Sequence, residues 1–130
     1  MATILIVDDD PTIRAVATEL LRCTDHAILE AEDGEQAIDL VNRLPIDLIV
    51  LDMLMPNKDG LECLMELRAK RSDVPILAIS GGGGMDADLL LRTAAAFGAD
   101  DTMRKPLRLA TFAAKVTELL DRRPHPRAAA

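Results

Sequence analysis

The sequence predicts a single α/β domain: a doubly wound parallel sheet with helices packed on both of its faces. Three observations carry that prediction. Short apolar runs alternate with helix-period segments five times over, the (βα)5 pattern of a parallel sheet. Turn and cap residues stand where one kind of segment gives way to the next. The residues with chemistry to offer all fall at the carboxyl ends of the apolar runs, where ligands bind in such sheets.

Taken in order, residues 3–7 (Thr-Ile-Leu-Ile-Val) read as the first buried strand. Asp10 is placed to cap a helix that opens with Pro11. Ile13, Val16, Ala17, Leu20 and Leu21 then recur at the spacing of one helix face and are expected to point inward. Residues 27–31 form a second, less apolar strand. Asp33-Gly34 turns the chain, and Ala37, Ile38, Val41 and Leu44 mark a helix stopped by Pro45.

Residues 47–51 form the third and most apolar strand. Met55 to Gly60 is expected as a loop, followed by a helix with Leu61, Leu64 and Leu67 inward. Residues 75–80 form the fourth strand, and Gly81–Gly84 a loose connection. Asp86 is placed to cap a helix running to Phe97, with Gly98 in the position that favours a left-handed backbone. Residues 101–104 form the last strand. The last helix, 106–121, has Leu109, Phe112, Ala113, Val116 and Leu120 inward.

Residues 1–121 make one domain, of ordinary size. Residues 122–130 hold Arg122, Arg123 and Arg127 without an acid, and are expected to be a short disordered tail. Hydrophobic residues are 49% and charged residues 28% of the 130, a globular composition; Phe97 and Phe112 are the only aromatics. The net charge of -7 argues against a nucleic-acid surface, which needs basic patches. Cys23 and Cys63 show no metal-ligand spacing and are expected to be reduced thiols. The N-terminus lacks the pattern of a signal peptide, and no run is long enough to span a membrane, so a soluble cytoplasmic protein is expected.

The chemistry gathers at one sheet edge. Asp8, Asp9 and Asp10 follow the first strand, Asp52 the third, Ser80 the fourth and Lys105 the fifth. Carboxylates are rarely buried. Several around one point repel unless a cation sits among them. The donors are all oxygens, so a hard ion such as Mg2+ fits best. A carboxylate beside such an ion can attack phosphorus and form an acyl phosphate. Lys105 offers a point charge and Ser80 a hydroxyl to the oxygens of the group in transfer.

Asp10 is better read as a helix cap than as a site residue, and Asp100 and Asp101 as turn and strand-start residues. Met53 and Met55 read as packing. His26 and His125 are assigned no role.

With these motifs in view, the chain resembles a response-regulator receiver domain of two-component signalling. The resemblance covers residues 3–121 and rests on Ile4 to Asp10, on Asp47 to Pro56 with Asp59-Gly60, on Ser80-Gly81 and on Lys105-Pro106. It implies a flavodoxin-like sheet in the order 2-1-3-4-5. It also implies a phosphoryl group accepted on Asp52 from a sensor histidine kinase or a histidine phosphotransfer protein. Mg2+ would be held by Asp8, Asp9, Asp52 and the backbone carbonyl of Leu54. Ser80 and Lys105 would contact the phosphoryl group, and the Lys105-Pro106 bond is often cis in the family.

The expected protein is a stand-alone signalling domain rather than an enzyme, acting through a downstream effector protein docked on residues 86–121. It is expected to bind no DNA directly and to be a monomer or a phosphorylation-dependent dimer. Thr102 stands where the family commonly has an aromatic switch residue, which points to the Gly81–Gly84 loop as the switching element. Leu54 and Gly82 cannot orient a water, which implies slow loss of the phosphoryl group.

Two other readings compete. Asp8-Asp9-Asp10-Pro11-Thr12 also matches the opening motif of haloacid-dehalogenase-like phosphatases, with Asp8 as nucleophile and Asp10 as acid/base. That reading leaves Asp52 unexplained and lacks an acidic motif after Lys105. A phosphorylation-independent pseudo-receiver is the third reading, opposed by the intact set of site residues.

Overall fold

A computed structural model of the chain describes residues 1–55, 59–70, 73–81 and 85–122. Five strands alternate with five helices: β1 (Thr3–Val7), α1 (Pro11–Leu20), β2 (Ala27–Ala31), α2 (Gly34–Arg43), β3 (Leu48–Asp52), α3 (Gly60–Lys70), β4 (Ile76–Ser80), α4 (Met85–Ala96), β5 (Asp101–Arg104) and α5 (Leu109–Arg122). All neighbouring strands are parallel and the order is β2-β1-β3-β4-β5. Both the fold class and the order expected from sequence are observed.

Strand alternation builds two cores. Leu5, Val7, Ile49, Leu51, Ile76 and Ala78 face α2, α3 and α4. Their neighbours Ile4, Ile6, Leu48, Val50, Leu77 and Ile79 face α1 and α5. A strand buried on both faces must be apolar at every position, which is why these strands read as unbroken runs. Phe112 is the one fully buried aromatic and anchors α5 on the second core.

The helix starts follow their caps. Asp10 Oδ1 accepts the Thr12 N–H at 2.8 Å, with Pro11 opening α1. Asp33 accepts from Gln36 N at 2.9 Å, and Asp59 from Glu62 N at 2.9 Å, so Asp59 caps α3 directly. Gly98 takes a φ of 115° after α4.

Several expectations need correction. Strand β3 begins at Leu48, because the Asp47 carboxylate turns aside to accept the Thr3 N–H at 2.8 Å. Helix α4 begins at Met85, one residue before Asp86. Helix α5 begins at Leu109 rather than Pro106. Leu107, in the turn before it, takes the core position expected of Leu109, which is 60% exposed. Leu119 is buried, with Leu120 only packed against the core's edge. Val16 is exposed on α1, and Leu44 is exposed as the extended residue that follows the end of α2. Residues 56–58 of the loop before α3, 82–84 of the glycine loop, and 123–130, including His125, lie outside the described residues.

Candidate functional site

The register of the sheet brings the expected residues together. Val7 pairs with Leu51, so the next residues, Asp8 and Asp52, leave adjacent strands side by side. Asp52 pairs with Ile79 and Ser80 with Arg104, which puts Ser80 and Lys105 one step beyond on the next two strands. The backbone continues the sheet past the strand ends: Asp8 N–H donates to Ala31 O, Met53 N–H to Ile79 O and Lys105 N–H to Ser80 O, at 2.9–3.1 Å.

Asp8, Asp9 and Asp52 each present a carboxylate oxygen within 4.8 Å of the others. Asp8 is fully buried and Asp52 2% exposed, whereas Asp9 is exposed. Burial and the neighbouring Asp8 charge push the Asp52 carboxyl up to about 7, against the pull of Lys105 and of the Leu54 N–H. That N–H donates to Asp52 Oδ1 at 3.3 Å.

Lys105 Nζ lies 2.8 Å from Asp8 Oδ2 and 3.6 Å from Asp52 Oδ1. The closer contact is an ion pair by distance, although Asp8 Oδ2 receives no well-aligned hydrogen bond. Burial pulls the Lys105 ammonium down, but the hydrogen-bonding reach of Asp8 and the charges of Asp52 and Asp8 outweigh it, leaving the group above its ordinary value. The Lys105-Pro106 bond is cis.

Ser80 is buried, and among the described residues its hydroxyl makes a single 3.5 Å contact, with the Gly81 carbonyl. A Cβ on Gly81 would stand 3.0 Å from Lys105 Cδ, so the glycine leaves room for the lysine stem. Asp10, by contrast, is exposed and spends its carboxylate on the helix cap.

The donor set fits a hard divalent cation. Three carboxylates converge, two of them buried, and no nitrogen or sulfur ligand is among them. One ammonium does not neutralise three acids, so a further positive charge is accommodated.

Sequence reasoning missed the polar contacts that brace the two ends of the sheet, Arg14 at the site and Arg68 and His26 at the opposite end. Arg14 of α1 donates to the Asp8 carbonyl at 2.7 Å and pairs with Glu30 of β2 at 2.9 Å. Arg68 of α3 donates to Gly98 O at 2.8 Å and Val74 O at 2.5 Å, and pairs with Asp100. His26 Nδ1 accepts the Ala2 N–H at 3.0 Å, giving the histidine a structural contact. Cys23 is exposed and Cys63 buried, neither in a disulfide, and the Cys63 thiol contacts the Gly34 carbonyl at 4.0 Å. Among the described residues no helix is long and apolar enough to cross a membrane.

Comparison with known proteins agrees with this geometry. The response regulator receiver domain family matches residues 4–117. Transcriptional regulatory protein CpxR of Escherichia coli K12 is 37% identical over 122 residues, which is 94% of this chain and 50% of that protein. The chain thus spans about half the length of the curated relatives it matches. Among solved structures, NtrX from Brucella abortus superposes with a TM-score of 0.86 at 28% identity, covering 92% of this chain and 27% of that one. The Francisella response regulator 1452 receiver domain gives 0.83 at 27% identity, covering 94% and 98%.

Proposed function

The chain belongs to the response-regulator receiver family, and from that premise we propose that Asp52 accepts a phosphoryl group from the phosphohistidine of a sensor histidine kinase or histidine phosphotransfer protein. The observation that carries this reading is the placement of Asp52. It is a buried carboxylate at a strand end, within 4.8 Å of two further acids and 3.6 Å from a lysine ammonium.

One Asp52 oxygen attacks phosphorus, the phosphorus–nitrogen bond breaks, and its electron pair returns to the imidazole; the product is an acyl phosphate. Asp8, Asp9, Asp52 and the Leu54 carbonyl would hold a Mg2+ ion, which would supply positive charge against the carboxylates and the phosphoryl oxygens. Lys105 favours the ionised, nucleophilic form of Asp52 and offers a charge to one phosphoryl oxygen. Ser80 offers its hydroxyl to another. Leu54 is 65% exposed and carries no group to orient a water, which supports slow hydrolysis.

Signalling then passes to an effector protein through the face formed by α4, β5 and α5. Thr102 lies between two grooves there, one of about 570 Å3 against α4 and one of about 450 Å3 against α5. A small residue between two grooves supports repacking of this face on phosphorylation. A monomer that dimerises when phosphorylated and a cytoplasmic location accord with this role. The curated relatives are twice as long, and CpxR is named a transcriptional regulator, which favours a second reading of the output step: the controlled domain is part of the same polypeptide.

The test is intact mass after incubation with acetyl phosphate, with and without Mg2+, on wild type and Asp52→Asn. A Mg2+-dependent gain of one phosphoryl group, absent from the variant, is expected. Uptake by Asp52→Asn would overturn the assignment. Turnover of a phosphate ester dependent on Asp8 would move the chain to the phosphatase reading. That reading is disfavoured by the use of Asp10 as a cap.

A further inference from the structure

We propose that Arg14 is a positioning residue for the acidic pocket, holding the Asp8–Asp9 peptide so that Asp9 faces Asp8 and Asp52. The inference rests on the metal-dependent reading of that pocket.

Asp9 is the weakly held member of the triad. It is exposed, and among the described residues its side chain has no hydrogen bond or ion pair, so the constraint they place on it runs through its backbone. Three contacts fix the turn. The Asp8 N–H donates to Ala31 O at 3.1 Å, and Asp8 Oδ1 accepts the Asp10 N–H at 2.9 Å. The third runs from Arg14 Nη1 to the Asp8 carbonyl oxygen at 2.7 Å. Among the described residues, only this last contact grips the peptide group joining Asp8 to Asp9. Because that group is planar, fixing its oxygen fixes where Asp9 departs.

Arg14 is suited to the task. Its side chain is 16% exposed, and its Nε is tied to Glu30 on the neighbouring strand at 2.9 Å. Its own backbone is set by the cap, with the Arg14 N–H donating to Asp10 O. A charged donor to a carbonyl is among the stronger hydrogen bonds, and a fork held at both ends keeps its geometry.

Positioning and electrostatics make opposite predictions, which makes the proposal easy to test. A cation beside three carboxylates opposes binding of a second cation, so by charge alone removing Arg14 would tighten Mg2+ binding. If Arg14 positions the turn, its removal weakens binding by about tenfold, the lower end of the effect of losing an outer support of a metal site.

The experiment is Mg2+ titration by calorimetry on wild type, Arg14→Ala, Arg14→Lys and Glu30→Gln, with melting followed in EDTA. Expected are a Kd about tenfold weaker for Arg14→Ala and smaller losses for Arg14→Lys and Glu30→Gln. Unchanged or tighter Mg2+ binding by Arg14→Ala overturns the positioning role. If that variant does not fold, a wild-type Kd in Arg14→Lys, whose single ammonium cannot hold both partners, overturns it equally. A wild type that binds no Mg2+ overturns the reading of the pocket, and the role with it.

Discussion

Lys105 stands closer to Asp8 than to Asp52: its ammonium is 2.8 Å from Asp8 Oδ2 and 3.6 Å from Asp52 Oδ1. The lysine therefore pairs chiefly with the carboxylate that is not the proposed phosphoacceptor. It offsets the repulsion between two buried acids.

Removing that ammonium leaves Asp8 and Asp52 buried without a counter-charge, a change that costs about 3 kcal/mol when one partner of a buried pair is deleted. Lys105→Ala is expected to melt well below wild type in EDTA. Mg2+ should recover part of the loss, so the rise in Tm on adding Mg2+ should be larger for the variant. Calorimetric melting of both proteins with and without Mg2+ checks this. Equal Tm values in EDTA would show that the ammonium does not offset the acids.

Asp52 gives stability a pH dependence of unusual sign. Its carboxyl titrates at about 7 in the folded chain against 3.8 without the fold. Between those values the unfolded chain releases the proton that the folded chain keeps, so this group lowers stability as pH rises from about 4 to 7. Above 7 its contribution is constant. Asp52→Asn removes the effect. Its stability advantage over wild type in EDTA should therefore grow across that window, reaching a few kcal/mol by pH 7.5. Urea unfolding of both proteins at intervals of pH measures the difference. A constant gap would mean that Asp52 is ionised throughout.

The three central strands were readable because a strand buried on both faces leaves no polar position, so their limits show as abrupt changes in composition; the edge strands β2 and β5 keep polar residues such as Glu30 and Asp101. The candidate site was legible for the complementary reason: Asp8, Asp52 and Ser80 are polar residues where apolar runs stop, and Lys105 follows the last strand. Helix margins were less readable. Val16, Leu44 and Leu109 keep the apolar period yet face solvent, because period alone does not show how far a core extends along a helix. Least readable were the long-range polar contacts. Thr3 and Asp47 are 44 residues apart, Arg68 and Asp100 are 32 apart, and Ala2 and His26 are 24 apart. No local pattern announces such pairs; they exist only once the sheet has set its neighbours.

Gly60 illustrates a residue whose necessity appears only in three dimensions. It opens α3 behind its cap Asp59, and a Cβ there would lie 2.3 Å from Met53 Cα and 2.7 Å from the Asp52 carbonyl oxygen. Both obstacles are backbone, and both belong to the segment that carries Asp52 out of β3. Gly60→Ala must push that segment aside, at a cost of about 3 kcal/mol, and the displacement falls on the proposed phosphoacceptor. Gly98→Ala is a fitting control. It is strained by a φ of 115° and by a Cβ 3.1 Å from the Arg68 side chain, but it lies at the far end of α4. Both variants should lose stability, whereas only Gly60→Ala should slow phosphoryl uptake per folded molecule. Rates from acetyl phosphate, corrected for the folded fraction from urea unfolding, separate the two. Equal uptake by the two variants would show that α3 can approach β3 differently without moving Asp52.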